Sequence, residues 1–71
     1  MDGMDGREGL TALELLILRS IPLATNVEEL SKLVKVRPAN LGMEIAKLQL
    51  RGYISDDGVL TQKGMEAVAK A

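Results

Sequence analysis

Five basic residues, Lys32, Lys35, Arg37, Lys47 and Arg51, fall within twenty positions that hold one acid, Glu44. The rest of the chain carries four basic residues and nine acids, so a net charge of −1 hides a local +4 beside a local −5. Clustered Lys and Arg of this kind form a surface for a polyanion, because they replace the counterions of a phosphate backbone. Taken singly, Lys32 and Lys35 would be solvated helix ends, and Arg51 a complement to a helix C-terminus. Their grouping favours a nucleic-acid surface of modest, salt-sensitive affinity.

Other chemistry finds little support. The chain has no Cys and no His, which removes disulfides, thiolate zinc sites and imidazole catalysis. Asp56 and Asp57 are adjacent in a turn and do not form a converging acid-base pair. Gly3, Gly6 and Gly9 precede any strand, so no phosphate-cradling loop is legible. No catalytic residue, cofactor, metal site or small-molecule pocket is expected, and the chain does not read as an enzyme.

The elements that position the basic residues follow from caps and periodicity. Seventy-one residues make one small domain, with 46% apolar residues and Tyr53 as the only aromatic. A core of Leu, Ile, Val, Met and Ala fits a mainly helical fold. Residues 1–9, Gly-rich and acidic, read as a disordered tail before a domain over 10–71. The spacing of Thr11 and Glu14 predicts a capping box and a first helix running to Ile21, where Pro22 stops it. Leu13, Leu16, Ile17 and Ile21 share one face of that helix, and Leu15 and Leu18 fall on the other. Asn26 caps a second helix whose core face is Val27, Leu30, Leu33 and Val34. Lys35-Val36-Arg37 connects it to a third helix from Pro38 to Arg51, stopped by Gly52, with Leu41, Ile45 and Leu48 inward. Short strands at 53–55 and 59–60 are expected around an Asp57-Gly58 turn. Thr61 then caps a last helix over 62–70, with Met65, Val68 and Ala69 inward. The apolar run Leu15 to Leu18 is too short to span a membrane, and the first residues show no signal peptide, so a cytoplasmic location is expected.

This order, with Val27, Leu30, Leu33, Val36, Pro38, Leu41, Ile45, Leu48, Gly52, Tyr53 and Ile54 at their spacings, resembles the winged helix-turn-helix family of small regulators. Leu60-Thr61-Gln62-Lys63-Gly64 is similar to the helix opening of many prokaryotic and archaeal members. The resemblance implies a mainly α fold with a small β-hairpin, α1-α2-α3-hairpin-α4, that binds duplex DNA as a transcriptional regulator. It implies that the third helix lies in the major groove. Lys32, Lys35, Arg37 and Lys47 then become phosphate contacts, and Asn40, Met43 and Lys47 base-edge contacts.

Two features depart from that pattern. The third helix turns Ala39, Met43, Ala46 and Leu50 away from the core, an apolar face that suits a protein partner as well as a groove. The expected wing tip, Ser55 to Gly58, carries two carboxylates that repel phosphate, so the wing itself is not expected to touch DNA. Leu15 and Leu18 have two readings of equal weight: the seam of a homodimer, or packing on the last helix within one chain.

Overall fold

The computed structural model describes residues 9–70, so the tail expected over residues 1–9 lies outside them except for Gly9. Four α-helices follow one another: α1 (Ala12–Ser20), α2 (Val27–Val34), α3 (Pro38–Leu50) and α4 (Gln62–Lys70), with a 3-10 turn at Ile21–Leu23 after α1. Their starts follow the cap residues. Thr11 and Glu14 form the capping box, with Thr11 N donating to Glu14 Oε1 at 2.8 Å and Glu14 N donating to Thr11 Oγ1 at 3.1 Å. Asn26 Oδ1 accepts from Glu29 N at 2.8 Å. Thr61 Oγ1 accepts from Gly64 N at 3.1 Å and opens α4.

The expected β-hairpin wing is absent: no β-strand occurs among the described residues. The backbone does reverse at the expected place, with Gly58 at φ 85° and Gly58 N donating to Ser55 O at 2.9 Å. Only one isolated antiparallel bridge results, between Ile54 and Leu60. The arms are too short for a ladder. Tyr53 N is still closing α3 by donating to Leu48 O, and Thr61 is already the cap of α4. The segment between α3 and α4 is therefore a tight connecting loop, held down where Gln49 Nε2 donates to Ser55 O at 3.0 Å.

α1 lies at the centre and contacts each of the other three helices. Its buried positions are Glu14, Ile17, Leu18 and Ser20, and the core continues through Leu30, Val34, Leu41, Leu48, Tyr53, Ile54 and Ala67. Leu18 is fully buried inside the single chain and Leu15 is half-buried, which fits the second of the two readings given for this pair, packing within one chain. Leu13 and Leu16, expected inward, are exposed instead. A helix apolar nearly all round offers periodicity no single face to select, and contact with three neighbours decides which arc is covered. Val27, Leu33, Met65 and Ala69, also expected inward, are exposed, whereas Gly64 and Ala67 supply the tight face of α4.

The end of α3 and the start of α4 lock together. Gly52, at φ 87°, reverses the chain, while Gly52 N and Tyr53 N return to Gln49 O and Leu48 O. Lys63 Nζ donates to Arg51 O at 2.8 Å and Thr61 Oγ1 to Gly52 O at 2.6 Å, satisfying carbonyls that the helix end leaves open. The Lys63 ammonium also sits 4.6 Å from the centre of the Tyr53 ring.

Candidate nucleic-acid interface

The turn between α2 and α3 is stapled by one residue. The Ser31 carbonyl accepts from Lys35 N and from Val36 N, and its hydroxyl donates to the Val36 carbonyl at 2.7 Å. This closure puts Lys35 at φ 59°, ψ 43°, the one non-glycine residue with positive φ among those described. A left-handed lysine is unusual, since Cβ crowds the backbone there and glycine is the ordinary occupant. Pro38 then starts α3 with its φ preset, and no side chain caps the helix. Its first N–H groups and the positive end of its dipole therefore add to the cations of the turn.

Lys35, Val36, Arg37, Asn40, Met43 and Glu44 line one cleft of about 420 Å³, together with Leu13 of α1. Two expected phosphate contacts, Lys35 and Arg37, thus meet two expected base-edge residues, Asn40 and Met43. All four are exposed, and neither Lys35 nor Arg37 forms an ion pair among the described residues. The remaining basic residues are placed differently. Lys47 is exposed but pairs with Glu44 at 3.3 Å, one turn back on α3. Lys32 lies outside the cleft, on the last turn of α2, and acts on Glu29. Glu29 itself is held below the ordinary carboxylate value: the Thr25 backbone amide donates to it at 2.6 Å, the Thr25 side chain adds to this, and Lys32 contributes last.

Arg51 belongs to the scaffold. Its guanidinium pairs with Glu14, donates to the Gly9 carbonyl at 3.1 Å and lies 5.4 Å from the Tyr53 ring centre. The apolar outer face of α3 stands as the sequence implies: Ala39, Met43, Ala46 and Leu50 are all exposed, Met43 by 67% and Leu50 by 89%.

Sequence reasoning missed Leu13 and Glu44 as members of the cleft. Glu44 was visible as the single acid of the basic stretch, but its pairing with Lys47 was not. Leu13 carried no usable signal, because it resembled every other leucine of α1. Also missed was a second groove on the other flank of α3, where Ile45 and Gln49 face the 3-10 turn, the start of α2 and the loop at Asp56–Val59. No group of His, Cys, Asp or Glu suited to a metal ion occurs among the described residues, and no helix there is long and apolar enough to cross a membrane. Comparison with protein-family models, with curated proteins and with solved structures finds no match to this chain.

Proposed function

We propose that this chain is a cytoplasmic DNA-binding domain of a transcriptional regulator, with α2, the turn and α3 acting as a helix-turn-helix. The observation that carries the reading is the cleft at the start of α3. There the Lys35 and Arg37 cations have no acidic partner among the described residues and stand beside Asn40 and Met43. In this arrangement Lys35 and Arg37 take the phosphates that flank the groove. Asn40 presents an amide able to pair with adenine, and Met43 an apolar end for a thymine methyl. Lys47 joins them only by giving up Glu44, and Lys32 is a peripheral contact.

Binding of random duplex DNA across a salt series tests this. About three phosphate contacts give a slope of log K against log salt near −3. The Lys35→Glu/Arg37→Glu variant should lose this binding while keeping the wild-type helical signal. Wild-type protein that binds without salt dependence, or a variant that binds equally well, would sink the reading.

A second reading rests on the exposure of Met43 and Leu50: a protein-interaction module that docks through Ala39, Met43, Ala46 and Leu50. Leu50→Ser separates the two. It leaves DNA affinity unchanged if the cleft carries the function, and it abolishes capture of the partner if the outer face does.

A further inference from the structure

The groove on the opposite flank of α3 has a different chemistry from the cleft. It encloses about 440 Å³ between the 3-10 turn, the start of α2, α3 and the loop before α4. Its apolar wall includes Ile21, Val27, Ile45 and Val59, of which Val27 is 49% and Val59 56% exposed. Asp56 and Asp57 form one edge, and no Lys or Arg lines it. Both carboxylates are exposed and without an ion pair among the described residues. Glu28 and Glu29 follow Val27 on the first turn of α2, extending the negative field.

The start of α2 does not compensate this charge. Its capping is already complete, with Asn26 Oδ1 bonded to Glu29 N and Glu29 Oε1 bonded to Thr25 N. An anionic occupant would therefore meet four carboxylates and no open cap. An apolar wall beneath a negative rim instead fits a segment with aliphatic side chains on one side and cations on its flanks.

We propose that this groove docks an amphipathic helical segment of a partner protein, with aliphatic anchors one turn apart on Val27, Ile45 and Val59, and Lys or Arg residues against Asp56 and Asp57. The groove is independent of the DNA reading. Asn40 and Glu44 face the cleft while Ile45 and Gln49 face the groove, so partner and nucleic acid occupy opposite flanks of α3.

The probe is a helical model peptide with leucines at i, i+3 and i+4 and lysines elsewhere, titrated into the full, isotope-labelled chain by NMR. The control peptide keeps the leucines and carries glutamates. The expected result is saturable movement of the Val27, Ile45 and Val59 amides with the lysine peptide and none with the glutamate peptide. Asp56→Asn/Asp57→Asn keeps turn-forming residues and should weaken binding about fivefold, as expected for two exposed charge pairs. Val27→Ser should weaken it without touching the charge. The proposal is overturned if the lysine peptide moves no groove amide, if it moves Met43 and Leu50 instead, or if the Asn variant binds as tightly as wild type. It is also overturned if the same amides move with protein concentration alone, which would make a second copy the occupant. DNA binding is read separately on the same samples, so failure of one reading leaves the other measurable.

Discussion

The Arg51 guanidinium lies 3.7 Å from the Glu14 carboxylate and joins the end of α3 to the first turn of α1. Glu14 is almost fully buried, and the same oxygen, Oε1, accepts from the Thr11 amide that starts α1. Arg51→Ala therefore leaves a buried carboxylate without its cation and removes the bond to Gly9 and the stacking on Tyr53. Because the arginine is partly exposed, the expected loss is about 1–3 kcal/mol, below the range for fully buried pairs. Urea denaturation measures it. If the chain binds DNA as proposed, the salt slope of that binding should not change, which separates a scaffold arginine from a phosphate contact.

Under the proposed DNA-binding reading, Lys35 sets stability against function. In the left-handed region glycine is relieved of the Cβ crowding that lysine bears, so Lys35→Gly should raise stability by about 1 kcal/mol. The same change removes a cation from the cleft and should reduce the salt slope of DNA binding by about 0.9. Lys35→Ala loses the charge and keeps the strain. A Gly variant no more stable than the Ala variant would show that the turn is not held in this conformation in solution.

Two glycines give opposite forecasts. A Cβ on Gly64 would overlap the Tyr53 carbonyl oxygen and press on Leu60 Cδ2 at 3.2 Å. Gly64→Ala must then push α4 off the loop, with an expected loss of about 2 kcal/mol. At Gly42, in the middle of α3, nothing lies within 4 Å of the added atom. Gly42→Ala should gain about 1 kcal/mol through helix propensity alone. Thermal midpoints of the two variants should move in opposite directions.

These glycines also mark how far the sequence could be read. Caps are local chemistry, and Thr11, Asn26, Gly52 and Thr61 each set a helix end where their side chain or backbone freedom demands. The expected strands failed because pairing depends on arm length, and the caps at either end leave room for one bridge only. Burial is set by several helices at once. Leu18 and Leu16 are indistinguishable by composition, yet one is buried and the other exposed, because α1 sits among three helices rather than against one. Charge was legible as a cluster and not as a set of partners. Among the described residues the turn leaves Lys35 and Arg37 without an ion pair, while Glu44 takes up Lys47 and Glu14 takes up Arg51.

The pairing of Glu29 with Thr25 has a consequence in acid. The Thr25 amide donates to the Glu29 carboxylate at 2.6 Å and is the largest cause of its lowered pKa, ahead of the Thr25 side chain and Lys32. A carboxylate whose folded pKa lies below its ordinary 4.5 stabilises the fold above that pH and loses this contribution as pH falls through the folded value. Wild-type urea midpoints should thus decline as pH drops below 4.5. In Glu29→Gln the side chain still offers an oxygen to Thr25 but cannot titrate, so that part of the decline should disappear. The variant should also be the less stable protein at neutral pH, because a neutral acceptor makes the weaker bond. Parallel curves for the two proteins across the acid range would mean that Glu29 does not close the start of α2.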